Sequence, residues 1–233
     1  MRNVSLKIAA GEAFVLIGPS GAGKSSLLKL MAGLLLPTSG EVFVYGKNLS
    51  RLHGRERDEL LRKTGMLFQK NALFDSLSVG DNVAFPLKEV LGTSEKECGP
   101  IVDRYLTAVG IDHAKKLFPD EISGGMQKRL GIARALVLRP EIVFYDDPTA
   151  GLDPITSRKI IQLIKDLQVR DGSTVVAVTN DMHRAYQVAN RIGMVVQNEL
   201  IDCGTPEQTK AHRDPRVQQF IRGQLTGPLA VQA

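Results

Sequence analysis

The stretch GPSGAGKS, residues 18 to 25, has the residue types and the spacing of a loop that binds phosphate. Its glycines let successive backbone N–H groups turn inward around an anion, on a path that a Cβ would obstruct. The lysine reaches the outer phosphate oxygens, and the hydroxyl that follows it is a ligand for Mg²⁺. We therefore predict that a nucleotide is bound by Gly18, Pro19, Ser20, Gly21, Ala22, Gly23, Lys24, Ser25 and Ser26.

Two adjacent acids, Asp146 and Asp147, end the stretch EIVFYDD, residues 141 to 147. A carboxylate at the end of a buried strand lies at the carboxyl edge of the sheet, where open α/β sheets bind ligands. We predict that Asp146 and Ser25 hold Mg²⁺. The open question is whether Asp147 orients the water that hydrolyses the nucleotide.

The elements that must position these residues follow from the alternation of apolar runs with helical patterns. Strands are predicted at 13–18, 41–45, 64–68, 141–146, 173–179 and 191–197. The clearest helix is predicted at 155–168, where five aliphatic residues form one stripe. This alternation predicts an α/β fold with a largely parallel sheet. We expect one domain over 1–233, with a helical insertion at about 75–138 and a tail at about 205–233 that has little core of its own.

Composition excludes several classes of function. The formal charge is +5, but charges of both signs alternate along the chain and no aromatic residues are interleaved with the basic ones, so a nucleic-acid partner is not expected. Cys98 and Cys203 lack metal-ligand spacing and are expected to be free thiols. The N-terminus has no apolar leader, and the apolar run at 27–36 is short and carries Lys29. We expect the chain to stay in the cytoplasm.

The segment ISGGMQKR, residues 122 to 129, lies between the phosphate loop and the acidic strand. With it the chain resembles the ATP-binding cassette (ABC) family, whose signature is matched by Ser123, Gly124, Gly125 and Gln127. The resemblance implies a P-loop NTPase fold with a RecA-like parallel sheet, a partial antiparallel β-subdomain and an inserted helical subdomain. It also implies ATP and Mg²⁺ as cofactors.

The same resemblance assigns roles to further residues. In the family two copies form a head-to-tail dimer, and the signature of one copy faces the γ-phosphate held by the other. Asp153 would lie at this dimer seam. Gln69 matches the family glutamine that senses the metal and the γ-phosphate, and it is therefore expected among both the metal-binding and the catalytic residues.

A narrower likeness is carried by residues 65 to 87 and 214 to 229. These segments are similar to the ATPase of the maintenance-of-lipid-asymmetry (Mla) and related Mce-type lipid transporters. This likeness implies a separate membrane permease, phospholipid as the cargo, and a place on the cytoplasmic face of the inner membrane. A STAS-type regulatory subunit and a lipid-binding Mce-type protein are further implied partners.

Three features depart from the family pattern. Asp147 stands where the family has Glu, and Asn180 stands where it has His. A shorter acid and an uncharged amide predict slow hydrolysis, because misplacing a catalytic group by about 1 Å can cost about 10²-fold in rate. His183 is one helical turn too far along to replace the missing histidine. The adenine-stacking aromatic of the family is also missing, since Phe14 is predicted to be buried in a strand. Either the true start lies upstream or adenine is held without that contact.

Several readings of the function remain open. The main one is an ATP-hydrolysing subunit of a membrane transporter, with Asp147, Asn180 and Gln69 as catalytic residues. The substitutions at 147 and 180 keep open a regulatory subunit that binds ATP and hydrolyses it weakly or not at all. A transporter of another substrate is a further alternative. A non-transport ABC protein that acts on DNA or ribosomes is disfavoured, because the chain has neither a second cassette nor a long coiled-coil insertion.

Overall fold

Two sheets organise the chain in the computed structural model, which describes residues 1–229. The large sheet has six strands in the order β4-β5-β6-β1-β7-β8, and the small sheet pairs β2 with β3. The strands are β1 Ala13–Ile17, β2 Phe43–Val44, β3 Lys47–Asn48, β4 Thr64–Leu67, β5 Ile142–Asp146, β6 Thr174–Val178, β7 Arg191–Val196 and β8 Glu199–Gly204.

The α-helices fall between and after these strands. They are α1 Lys24–Met31, α2 Gly54–Arg62, α3 Val79–Leu91, α4 Glu95–Val109, α5 Gly124–Leu136, α6 Pro154–Asp171, α7 Met182–Val188, α8 Pro206–Lys210 and α9 Pro215–Arg222. The predicted helix at 155–168 is α6, which is longer at both ends because Asp153 caps its start and Gly172 ends it in a left-handed conformation.

Five strands of the large sheet are parallel, and their register brings their carboxyl ends to one edge. Asp146 of β5 pairs with Val178 of β6, and Leu16 of β1 pairs with Val178 on the other side. Leu67 of β4 pairs with Tyr145. The loops that follow β1, β4, β5 and β6 therefore emerge side by side, and these loops carry the predicted site residues.

Alternation along each strand sends side chains to both faces of the sheet, and both faces are covered. Phe14, Leu16, Phe144 and Val195 pack with Leu28 of α1 on one face. The opposite face packs into the larger core cluster, whose helical members come from α3, α4, α5, α6, α7 and α9. Strands buried on both faces read as continuous apolar runs, which is why β1, β5 and β6 were predictable.

The antiparallel parts were less predictable. The predicted strand at 41–45 is reduced to two residues, which form the antiparallel β2–β3 ribbon. Strand β8 was not predicted, because it lies at the sheet edge and only Cys203 in it is buried. It pairs antiparallel with β7 through a two-residue turn in which Gln197 and Asn198 both have positive φ, 48° and 68°. The α/β fold class with a partial antiparallel part is confirmed.

Between residues 75 and 138 the structure contains helices α3, α4 and α5 with short 3-10 turns. The tail from 205 contains α8 and α9, and Val217 of α9 is completely buried in the larger core cluster. The limits 75–138 and 205–233 stay predictions, and residues 230–233 lie outside the described residues. None of the helices in residues 1–229 has the length and apolar character needed to cross a bilayer.

Candidate nucleotide-binding site

The phosphate loop joins β1 to α1 and depends on glycine at two positions. Gly18 has φ of 136°, and a Cβ there would lie 2.1 Å from the Val195 carbonyl oxygen on β7. Gly23 has φ of 99° and precedes the first residue of α1 without a side-chain cap. The backbone N–H groups at the start of α1 can therefore donate hydrogen bonds to a bound ligand, as a phosphate-binding loop requires.

Lys24 lies over this loop and is only 7% exposed. Its ammonium donates hydrogen bonds to the carbonyls of Gly18 at 2.7 Å and Pro19 at 2.8 Å. Burial lowers the pKa of Lys24, while the charges of Asp147 and Asp146 act in the opposite direction. The loop thus holds one desolvated cation against its own backbone, beside two carboxylates.

Ser25 and Asp146 meet directly. The Ser25 hydroxyl donates a hydrogen bond of 2.7 Å to Asp146 Oδ1, and Asp146 is 5% exposed. In residues 1–229 no three His, Cys, Asp or Glu side chains cluster as a metal site. A hydroxyl with one carboxylate fits Mg²⁺ that takes its other ligands from phosphate oxygens and water, which is the usual Mg²⁺ site.

Asp147 has an unusual backbone conformation, with φ of 47°. Its N–H donates to the Val178 carbonyl at 3.0 Å, and its carbonyl accepts from the N–H of Ala150 at 3.1 Å. Asp tolerates this left-handed region better than most residues. Burial raises the pKa of the Asp147 carboxyl and Asp146 adds to the effect, whereas the positive charges of Lys128, Arg184 and Lys24 oppose it.

Asp147 and Asn180 line one open pocket of about 470 Å³. Asn180 follows β6 and is exposed, while Arg184 on α7 pairs with Asp181 at 3.1 Å. His183 is exposed and contacts Gln187 at 3.1 Å, and it does not line this pocket. The full lining is Asp147, Thr149, Ala150, Gly151, Leu152, Thr179, Asn180, Asp181 and Arg184.

Gln69 follows β4, at the same edge of the sheet. Its side chain is exposed. Its backbone carbonyl accepts a hydrogen bond from the ammonium of Lys128, which is 3% exposed on α5. The structure therefore brings Gln69 beside a residue of the signature helix.

The signature residues form the start of α5. The Ser123 hydroxyl caps the helix by accepting from the Met126 N–H at 3.3 Å, and the Gln127 amide donates to the Pro119 carbonyl at 2.7 Å. A Cβ on Gly125 would lie 2.8 Å from Thr156 Cγ2, so the starts of α5 and α6 touch.

Asp153 is exposed at the start of α6, where Oδ1 accepts from the N–H groups of Ile155 and Thr156, both at 2.9 Å. The signature and Asp153 therefore lie together. Within residues 1–229 no hydrogen bond or ion pair joins the signature residues to the phosphate loop.

Two residues near the carboxylates were not predicted from the sequence, namely Lys128 and Arg184. A signal for Lys128 existed, because it shares one helical face with the small residues Gly131 and Ala135 at spacings of three and seven. This face packs on β4, since a Cβ on Gly65 would lie 2.3 Å from the Ala135 carbonyl. Arg184 offered no such signal. Phe14, predicted to be buried, is fully buried and lies 4.9 Å from the Arg191 guanidinium.

Comparison with known proteins places this arrangement among cassette proteins. Residues 1–150 match the family model described as ABC transporter. The chain is 41% identical over 229 residues to the probable ribonucleotide transport ATP-binding protein mkl of Mycobacterium tuberculosis, covering 98% of this chain but only 64% of that protein's length.

A second relative is the intermembrane phospholipid transport system ATP-binding protein MlaF of Haemophilus influenzae. It is 39% identical over 227 residues, which are 97% of this chain and 86% of that protein. Among solved structures, the dimeric post-hydrolysis state of the ATP-binding cassette MJ0796 bound to ADP and Pi superposes with a TM-score of 0.79 at 36% identity. That match covers 85% of this chain and 87% of the other.

Proposed function

The chain belongs to the ABC transporter family, and we propose that it is the ATP-binding and ATP-hydrolysing subunit of a membrane transporter whose cargo is phospholipid. One observation supports the assignment of nucleotide binding. The glycine loop, the buried Lys24 and the Ser25–Asp146 hydrogen bond of 2.7 Å meet at one edge of the sheet. A loop that cradles phosphate thus lies beside a hydroxyl–carboxylate pair of the kind that Mg²⁺ takes.

Each residue has a definite task in this proposal. The backbone N–H groups within residues 18–26, except at Pro19, bind the phosphates together with the Lys24 ammonium, and Ser25, Asp146 and Gln69 would hold Mg²⁺. Mg²⁺, when bound, would neutralise charge on the transferred phosphoryl group. Asp147 accepts a hydrogen bond from the attacking water and orients it, and Asn180 donates to a phosphate oxygen. Both residues line the same pocket.

The dimer follows from the place of the signature. Among residues 1–229 of one chain, no hydrogen bond or ion pair joins the signature to the phosphate loop, whereas Ser123 and Gly124 are exposed at the start of α5. We propose that they and Gly125 act on ATP held by a second copy, with Asp153 at the seam. The solved relative MJ0796 is a dimer bound to ADP and Pi, which supports this assembly.

The permease would dock on the groove at about 69–88. Two exposed aromatic rings, Phe74 and Phe85, lie there with centroids 4.4 Å apart, and the Arg134 guanidinium lies 5.4 Å from the Phe74 ring. Exposed aromatic rings beside a cation suit the helix of a partner. The MlaF relative, named for intermembrane phospholipid transport, favours phospholipid as the cargo. The chain would then lie at the cytoplasmic face of the inner membrane, against its permease. A STAS-type subunit and an Mce-type protein would complete that system.

Asp147 and Asn180 also support the proposal that hydrolysis is slow. The alternative is a regulatory subunit that binds ATP and hardly hydrolyses it. The two hypotheses differ in one measurable result, because in a regulatory subunit Mg-ATP would close the dimer without phosphate release. The mkl relative, whose name refers to ribonucleotide transport, makes a different cargo the second alternative.

Co-purification from membranes tests the transporter proposal. The tagged chain should bring down an integral membrane protein together with phospholipid. Crosslinkers placed at Phe74 or Phe85 should reach that protein, and crosslinkers at Val169, an exposed residue of α6, should not. Recovery of no membrane protein, or of crosslinks only at Val169, would contradict the proposed docking. Recovery of a bound nucleotide as cargo in place of lipid would favour the second alternative.

A further inference from the structure

The loop after β4, residues 69–72, has a strained backbone. Asn71 and Ala72 both have positive φ, 60° and 50°, in a region that Ala rarely adopts. The buried Asn71 Oδ1 has no hydrogen-bond partner within residues 1–229. The N–H groups of Asn71 and Ala72 donate to the nearby carbonyls of Phe68 and Lys70, but two left-handed residues and an unsatisfied side-chain oxygen make the loop conformation depend on what packs against it.

Helix α5 supplies those contacts from one face. The ammonium of Lys128 donates to the Gln69 carbonyl. Arg134, six residues later, donates from one nitrogen to the carbonyls of Asn71 at 2.9 Å and Ala72 at 2.7 Å. Two cations of the helix thus bind three backbone carbonyls of the loop, those of Gln69, Asn71 and Ala72.

The residue between these two cations allows the close approach. A Cβ on Gly131 would lie 2.5 Å from Leu67 Cδ1 and 3.6 Å from the Cβ of Asn71. Gly131 itself is buried. A larger residue there would push the helix away from the loop, and both cations would lose their carbonyl acceptors.

Lys128 has a second set of neighbours. Its positive charge acts on Asp147 and on Asp146, which is the last residue of β5. Because Leu67 of β4 pairs with Tyr145 of β5, the Gln69 carbonyl that binds this ammonium lies at the sheet edge where Asp146 and Asp147 follow. Lys128 is carried by the helix that begins after the signature residue Ser123. A side chain that is 3% exposed has little freedom to make these contacts in another way.

We propose that Lys128 is a positioning residue for ATP cleavage. Lys128 links the Gln69 loop to the signature helix and keeps its own positive charge beside Asp147. A shift of α5 would therefore move both the loop and this charge. This inference rests on the proposed ATPase function. Lys128 donates to a backbone carbonyl of its own chain, so its loss should change the rate of cleavage and leave ATP affinity nearly intact.

Three variants separate the parts of this role. Lys128→Met removes the donor and the charge, and Lys128→Gln keeps an amide donor without the charge. Arg129→Met is the matched control, because Arg129 on the same helix also donates to a carbonyl, that of Val109 at 2.7 Å, away from the loop and the carboxylates. Each variant is measured for kcat, KM for ATP, and amide hydrogen exchange over residues 69–73 without nucleotide.

We expect Lys128→Met to lower kcat by about tenfold or more with KM within about threefold, and to speed exchange at Asn71 and Ala72. Lys128→Gln should restore the protection of residues 69–73 against amide hydrogen exchange, because it keeps a donor. It should not restore the wild-type kcat, because it lacks the charge. Arg129→Met should leave the exchange over 69–73 unchanged.

Wild-type kcat and wild-type exchange in Lys128→Met would overturn the inference, and if that variant fails to fold, unchanged kcat in Lys128→Gln would do so. A wild-type chain that neither binds nor cleaves ATP would instead overturn the proposed function, because the exchange result does not depend on activity.

Discussion

The hydroxyl of Ser25 and the carboxylate of Asp146 are 121 residues apart in the sequence and are joined by a hydrogen bond of 2.7 Å. The parallel register of β1, β6 and β5 brings them together, because Asp146 and Leu16 flank the same residue, Val178. One bond thus links the phosphate loop to the acidic strand. Its two oxygen atoms are also two of the protein ligands that we assign to Mg²⁺, the third being Gln69.

Removing the Asp146 charge should therefore weaken the binding of Mg-ATP more than the binding of metal-free ATP. We expect Asp146→Asn to weaken Mg-ATP binding by about 10- to 150-fold, the equivalent of about 1.5–3 kcal/mol for a lost contact to a charged group. ATP binding in EDTA should change by less than about threefold, since the loop and Lys24 remain. Titration calorimetry with and without Mg²⁺ gives both values. Asp166→Asn, an exposed acid on α6, is the control, and an equal loss under both conditions would contradict the assignment.

Asp147 can be tested by two substitutions that differ in length and charge. Asp147→Asn should fold well, because Asn tolerates the φ of 47° at this position. It should lower kcat by about 10²-fold or more while leaving the ATP Kd unchanged, as expected on loss of a general base. Asp147→Glu should raise kcat above that of the wild type, because the carboxylate reaches about 1 Å further. Brisk turnover by Asp147→Asn would remove Asp147 from the mechanism.

Two glycines of the phosphate loop should respond very differently to alanine. At Gly18 a Cβ would lie 2.1 Å from a carbonyl oxygen of β7, whereas at Gly21, with φ of 76°, it would meet nothing within 4 Å. We expect Gly21→Ala to lower the free energy of unfolding by about 1–2 kcal/mol, the cost of a left-handed conformation, and Gly18→Ala to lower it by more than about 3 kcal/mol. Urea unfolding measures both. Equal losses would show that the loop packs against β7 differently.

The two thiols should be unreactive in the folded protein. Cys98 and Cys203 are free and buried, 1% and 2% exposed, and burial raises the pKa of both, that of Cys203 to about 12. A raised pKa lowers the thiolate fraction, so at pH 8 a thiol with this pKa is about 0.01% ionised. We expect iodoacetamide to modify the folded chain at least about 100-fold more slowly than the chain in urea. Rapid modification of the native protein at pH 8 would show that these residues open to solvent.

The sequence predicted those features that depend on local pattern. The phosphate loop, the acidic strand end and the buried parallel strands each leave a mark in consecutive residues. Strand β8 has no such pattern in its sequence, because an edge strand with one buried residue does not alternate between apolar and polar residues. The buried place of Val217 could not be predicted either, since it depends on a core built by residues far away in the sequence.

The residues of the candidate nucleotide-binding site were predictable from the sequence to about the same degree as the fold. Ser25 and Asp146 followed from motif and topology, and they form a hydrogen bond. The burial of Lys128 was not predictable in this way, because a charged residue on a helix is ordinarily solvated and its burial depends on how closely α5 approaches β4. The left-handed backbone of Asp147 has no local sequence mark beyond the tolerance of Asp for that conformation.

Phosphate release from Mg-ATP by the purified chain, followed over a range of protein concentrations, tests the central claim most directly. If two copies complete each site, the rate should be low, should require Mg²⁺, and should rise with the square of the protein concentration when the dimer is scarce. Release that never exceeds that of a Lys24→Ala variant, at any concentration, would contradict the claim that this chain is an ATPase.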